Sequence, residues 1–278
     1  MTYGPAILVR TMSAQRRMGL SGALVSYHPR SDRHSKVLCW AVLLDLMLST
    51  PLLRQQAAEG RIGFGINHEI VDWQQNRAKR LDLVVCTPGE PKGVERKRSF
   101  SSLVAEFGIV LDPTEEAALA SLPGFYEAPV GQLLVALEAK AAMTAHSKAA
   151  PRLYDELNSS HQIVHGSSSA ALAVGSVLVN IADRFRSPTQ SSGRPNQHRQ
   201  PDDAKTIIDK VMQLPRRARQ INEGFDALGI LVVACTNEPG DPVLPWNVPP
   251  APQPGDPYSY DSSIARIVGE YSQRFAQL

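Results

Sequence analysis

The stretch VGQLLVALEAK, residues 130–140, decides the fold. It is apolar through its middle, follows Pro129, and ends abruptly in the charged pair Glu138 and Lys140. A short apolar run without a helical polar face is the pattern of a strand buried on both sides. The chain beyond it, Ser147 to His165, alternates polar and apolar residues at helical spacing and carries Pro151 early, where a proline is tolerated in the first turn. ALAVGSVLVNI (171–181) is a second apolar strand.

Upstream, KVLCWAVLLDLMLSTPLLRQQAAEG (36–60) has helical periodicity, is interrupted by Pro51 and closes on Gly60, so it predicts a buried helix with a break. IGFGINHEIVDW (62–73) and RLDLVVC (80–86), joined by QQNRAK, read as a hairpin. Residues 87–129 carry Gly, Pro and charge, with one helix signal at Pro113–Ser121, where Asp112 can cap and Pro113 can take the first helical position. That segment is expected to be an insertion between core strands. Residues 1–35 are expected to form an N-terminal arm or loosely packed cap.

Downstream, RSPTQSSGRPNQHRQPDD (186–203) reads as a second insertion, a flexible surface loop. A helix from Asp203 to Asn222, the strand LGILVVACT (228–236), a Pro-rich stretch (238–258) and a helix from Asp261 to Gln277 complete the chain. This order places a mixed sheet between helical layers: an α/β protein, a three-layer α/β/α sandwich with residues 36–278 as a single domain.

Of 278 residues, 43% are hydrophobic and 20% charged, which is enough apolar material for a real core. The net charge of only +2 excludes a uniformly basic nucleic-acid binder, so any basic footprint is local. Four clusters offer one: Arg16 and Arg17; Arg77, Lys79 and Arg80; Lys92, Arg96, Lys97 and Arg98; and Arg216, Arg217 and Arg219. Cys39, Cys86 and Cys235 sit in apolar runs without CxxC spacing, as buried small hydrophobes in a reducing compartment do. No window reaches the roughly 18–20 unbroken apolar residues of a membrane span, and the N-terminus lacks a signal peptide's apolar stretch. Cytoplasmic residence without a membrane is the expectation.

Glu138 and Lys140 are two apart on a strand, so they share one face while Ala139 points to the other. Burying both charges at the end of an apolar strand is costly unless they pair or hold a metal. Asp82 is a lone acid inside LDLVV, where a core strand calls for a hydrophobe. Two carboxylates and the backbone carbonyl of Ala139 suit Mg2+, which binds few protein groups and keeps its waters. A neighbouring lysine can orient or help deprotonate an attacking water and neutralise charge on a phosphorane-like transition state.

At these residues the chain resembles the PD-(D/E)XK nuclease superfamily, the restriction-endonuclease-like fold, over residues 36–182. An acid on one core strand and an acid-X-Lys tripeptide on the next carry the resemblance. It departs in having Leu81, not proline, before the acid. The resemblance implies that Asp82 and Glu138 bind magnesium, with Mn2+ able to substitute, and that Lys140 serves the water. Asp45 and Glu59 stand where some members supply an extra acid, and His68 and Asp72 share a face of the first strand of the hairpin and are candidates beside the site.

The segment after Lys140 is dense in groups that bond phosphates, and His146, Lys148, Arg152, Ser159 and His161 are its candidate nucleic-acid contacts. His161 and His165 have the spacing of a zinc pair but no third ligand is evident. The expectation is a magnesium-dependent endonuclease of restriction or phage-defence type, cutting duplex DNA as a homodimer whose two-fold axis matches that of the duplex. The alternatives are a nuclease of the same fold acting on modified or branched DNA or on RNA, and a catalytically silent nucleic-acid-binding subunit. No GxGxxG or GxxxxGK[ST] run follows a strand, which weighs against a nucleotide-binding protein.

Overall fold

A computed structural model describes residues 2–18, 22–72, 75–90, 98–190, 194–218 and 223–278. In chain order its elements are α1 (Gly4–Ser13), β1 (Arg16–Met18), β2 (Ala23–Val25), α2 (Arg33–Ser49), α3 (Pro51–Ala58), β3 (Gly63–Asp72), β4 (Arg77–Pro88), α4 (Ser102–Phe107) and α5 (Pro113–Ala120). There follow β5 (Val130–Ala142), α6 (His146–Ser167), β6 (Leu172–Asn180), β7 (Arg184–Phe185), β8 (Asn196–Gln197), α7 (Asp202–Met212), β9 (Ala227–Ala234), β10 (Leu244–Pro245) and α8 (Tyr260–Arg274).

The central sheet runs β10-β9-β6-β5-β4-β3. The hairpin strands β3 and β4 are antiparallel to each other, and β4 is antiparallel to β5; β5, β6 and β9 are parallel. Each parallel step needs a crossover, which α6 and α7 supply. Residues from α1, α2 and α8 build one apolar cluster against one face of the sheet, and residues from α6 and α7 build a second against the other. The result is the mixed-sheet, three-layer sandwich that the sequence predicts.

Helix α2 owes its position to composition. Twelve of its residues are buried, Trp40 and Leu43 completely, so it is apolar nearly all round and lies inside the protein rather than on it. Pro51 ends it: α3 leaves at 98° to α2. No single helix among the described residues is long and apolar enough to cross a membrane; α2 and α3 pass that test only when joined across their bend.

Four boundaries differ from expectation. The described part of the N-terminal 35 residues is more than a loosely packed cap: α1 buries Ile7 and Leu8 completely against the α2 side of the sheet. Within 87–129, Phe100, Leu103 and Phe125 join the same core, with Phe100 stacked on Trp40 at 4.9 Å and its carbonyl accepting from Trp40 Nε1 at 3.1 Å. Spaced singly among charges, these aromatics leave no periodic signal. The 186–203 segment is tied down where it is described, by the β7–β8 pair and by His198, whose ring nitrogens meet the Ala182 carbonyl at 2.8 Å and the Thr144 hydroxyl at 3.0 Å. Helix α7 stops at Met212, short of the expected Asn222, and residues 219–222 lie outside the described residues.

Asp45 explains why α1 is held so firmly. Its side chain is 1% exposed and accepts from the Tyr3 and Gly4 amides at 2.8 and 2.9 Å and from the Tyr260 hydroxyl at 2.8 Å. It thereby satisfies free N–H groups at the start of α1 and links them to α8. Replacing Asp45 with alanine leaves two amides and a phenol buried without acceptors, and urea unfolding is expected to show a loss of about 3 kcal/mol, with Asp45→Asn losing less.

Candidate functional site

The site grows out of a defect in the sheet. β4 and β5 are paired from Pro88↔Val130 up to Leu83↔Leu137 and then part. At the same level of β4 the alternation of side chains slips: Leu81 and Val84 both belong to the α6-side core, while Leu83 and Val85 belong to the α2 side. Opposite the slip, Asn67 of β3 has φ +49°, a left-handed conformation that asparagine tolerates better than most residues. Asp82 sits in this irregular step. Its Oδ2 accepts the Ala139 amide at 2.9 Å, replacing the ladder bond that β4 no longer supplies.

The N–H and C=O of a strand residue point to the same neighbour, so the Ala139 carbonyl faces the same opening. Glu138 and Lys140 point to the α6 side, as their spacing predicts. Lys140 Nζ lies 2.8 Å from Glu138 Oε1 and 3.6 Å from Glu156 Oε2 of α6. Glu138 is 4% exposed, and its other oxygen, Oε2, is buried with no hydrogen-bond partner. A buried carboxylate oxygen with nothing to accept from is costly.

Electrostatics mark the same point. Loss of water and the neighbouring Glu138 push the Asp82 carboxyl up to about 6, against the opposing pull of the Ala139 amide, Lys140 and the Ser35 hydroxyl. Burial works against the charge on Lys140, but Glu138, Asp82 and Glu156 outweigh it, so its pKa lies above the usual lysine value. Lys140 is therefore a cation at neutral pH, suited to orienting groups and neutralising anionic charge. Perturbed groups gathered in one place are the signature of a functional site.

Two residues of this cluster escape sequence reasoning as members of the site. Lys79 of β4 lies 3.8 Å from Glu138 Oε1 and donates to the Glu156 carbonyl and the Ser160 hydroxyl, each at 2.6 Å. Burial lowers its pKa although Glu138 opposes the shift. Glu156 stands between Lys140 and Arg152, 3.6 and 3.4 Å away. Their only sequence signals are a place in a basic cluster for Lys79 and a place on the polar face of a helix for Glu156.

The other candidates scatter. Asp45 is committed to the start of α1 and is no extra acid. Glu59 is paired with Arg61 at the end of α3. Asp72 is 1% exposed, lies 3.7 Å from Arg77 beside the hairpin turn, and is about 16 Å along β4 from Asp82 at the usual strand rise. His68 pairs in register with Leu81, one step from Asp82, and is half-buried, with its pKa lowered by burial.

Lys148 and Arg152 are exposed on α6 and Ser159 is half-buried, but His146 and His161 are 2% and 0% exposed and face the core instead of solvent. His146 bonds the Asn180 carbonyl at 2.9 Å. His165 has both ring nitrogens engaged, by Arg217 at 2.9 Å and the Gly224 carbonyl at 2.8 Å, which leaves no zinc pair with His161. Helical spacing alone places these histidines on a polar face, but His161 packs on Phe225 and His165 on Gly224, both before β9, and His146 on the end of β6, so that face is turned inward.

The basic clusters are largely structural too. Arg217 is buried beside Asp226, and Arg98 is bound by Glu106 and Glu127. Lys92, Arg96, Lys97 and Arg219 lie outside the described residues. The three cysteines are buried and free. No family model matches the chain, and neither a curated protein nor a solved structure does.

His161 makes a testable consequence of this burial. Its pKa is pushed down to about 4 by desolvation, with His165 adding to the effect. Protonation therefore favours the unfolded chain, whose histidine titrates near 6.5. Stability is complete above that value and is expected to fall between about pH 6.5 and 4, by about 3 kcal/mol for this group. His161→Gln should flatten the fall measured by urea midpoints across that range, while His34, pushed down to about 4 by desolvation and by Lys140, keeps a residual slope of the same sign.

Proposed function

We propose that this chain is a magnesium-dependent endonuclease hydrolysing DNA phosphodiester bonds, of the restriction or phage-defence type, acting in the cytoplasm on duplex DNA as a homodimer. The observation that carries the reading is the meeting of Asp82, Glu138 and Lys140 where β4 and β5 part, with Glu138 Oε2 buried and unpartnered. The resemblance to the PD-(D/E)XK superfamily supports it from the order of helix, hairpin, strand, helix and strand.

The donor set fits the ion. Asp82, Glu138 and the Ala139 carbonyl would hold Mg2+, and Mn2+ takes the same hard oxygens. Among the described residues no group of three or more His, Cys, Asp or Glu gathers as a metal site, so the proposed site rests on two carboxylates and a carbonyl, and magnesium needs only one or two carboxylates from the protein. When bound, the ion supplies Lewis-acid polarisation of the phosphoryl group and a more acidic water.

The protein's own groups do the rest. Lys140, fixed by Glu138 and Glu156, presents a positive charge where the phosphoryl oxygens gain negative charge in the transition state. Asp82 and Glu138 sit on strands, so the geometry is held by the sheet and not by a loop. Lys148 and Arg152 are exposed on the helix that leaves this strand, and they would contact the phosphate backbone at the rim. Cutting both strands calls for two such centres, which a two-fold dimer supplies.

Plasmid digestion in Mg2+ is expected to nick or linearise DNA, and to stop when EDTA is added. Asp82→Ala and Lys140→Ala should each slow cutting by at least about a hundredfold while remaining folded at the assay temperature, Asp82→Ala with a lowered melting temperature because the Ala139 amide loses its acceptor. Magnesium-dependent cutting that persists in both variants places the activity elsewhere.

A further inference from the structure

Lys79 is unlike the lysine that the site reading uses. Lys140 keeps a part-open head beside the opening, whereas the Lys79 ammonium is clamped by the Glu156 carbonyl and the Ser160 hydroxyl of α6, both at 2.6 Å. With two of its three protons so committed, it has one left for Glu138 Oε1, 3.8 Å away. That same oxygen already takes Lys140 at 2.8 Å, while Oε2 has no partner. Glu138 is thus held by one oxygen between two ammonium groups and presents the other.

The charges around the opening balance. Asp82, Glu138 and Glu156 face Lys79, Lys140 and Arg152, three of each sign. A divalent cation binding at Asp82 and Glu138 enters a neutral cluster, and the positive charges facing Glu138 are Lys140 at 2.8 Å and Lys79 at 3.8 Å. A divalent ion and a unit charge roughly 6 Å apart near a protein surface interact strongly enough for about a ten-thousandfold change in binding, which solvent reaching a part-open site and its counterions reduce to about tenfold. The competing effect of losing Lys79, a looser Glu138, is smaller because Lys140 still holds Oε1.

We propose that Lys79 is a positioning residue that restrains cation loading: anchored on α6, it neutralises Glu138 so that the site takes a divalent cation weakly until phosphate brings further negative charge. This rests on the nuclease reading of Asp82 and Glu138. It makes α6, which holds the ammonium by two tethers at Ser160 and the Glu156 carbonyl, the support of that charge.

The test is Mn2+ binding to the full chain without DNA, followed by calorimetry or by water-proton relaxation. Asp82→Asn and Glu138→Gln should each abolish the binding; if Mn2+ binds both as it binds the parent, the underlying site assignment fails. With those controls in place, Lys79→Met is expected to bind Mn2+ about tenfold more tightly than the parent. Lys79→Arg, which keeps the charge, and Ser160→Ala, which removes only a tether, should stay within about threefold of it. Unchanged or weaker binding in Lys79→Met overturns the inference and leaves the site assignment standing. Should Lys79→Met fail to fold, the side-chain 15Nζ resonance of Lys79 in the parent protein decides: it is expected to move as Mg2+ is titrated in, and a resonance that stays fixed through saturation overturns the proposal.

Discussion

The hydrogen bond from the Ala139 amide to the Asp82 carboxylate is the contact on which the rest depends. Up to Leu83↔Leu137 the pairing of β4 and β5 is backbone to backbone. At Asp82 a side chain takes over the role of a strand. That exchange does two things at once. It satisfies an amide that would otherwise be buried without an acceptor, and it brings a carboxylate within a residue of Glu138 in the interior of a sheet, where no loop could hold it as firmly.

Everything around this point serves to keep the gap open and in shape. The left-handed Asn67 shifts the phase of the hairpin, so that Leu81 packs toward α6 while Leu83 packs toward α2. Lys79 fastens the diverging end of β4 to α6, and α6 in turn brings Glu156 up to Lys140. On the other face α2, almost wholly buried, fills the space behind Ala139. The cost of bringing these charges into a protein interior is offset by pairing each with an opposite charge or a hydrogen bond, and Oε2 of Glu138 is one of the buried polar atoms among the described residues left without a partner.

Much of this was legible in the sequence, for reasons that are themselves physical. Strands β5, β6 and β9 and helix α2 are buried nearly throughout, so their apolar runs are long and unambiguous. Charges within such runs, at Asp82, Glu138 and Lys140, stand out because core positions rarely tolerate them. The capping box at Asp112 and Glu115 is equally local and equally readable. What could not be read is what depends on long-range packing. Asp45 looks like a spare acid until α1 and α8 close over it, and Phe100 and Phe125 look like loop residues until they stack behind Trp40. His146 and His161 lie in a segment rich in polar groups, but α6 meets the rest of the protein along the face that carries them. Lys79 is one more lysine in a basic hairpin until α6 is laid across it.

The central claim is that one divalent cation fits between the Asp82 carboxylate, the Glu138 carboxylate and the Ala139 carbonyl. Anomalous diffraction from crystals soaked in millimolar Mn2+ tests it most directly. The account predicts a single strong anomalous peak within coordination distance of Asp82, Glu138 and the Ala139 carbonyl oxygen. A peak elsewhere, with none at this opening, would contradict it.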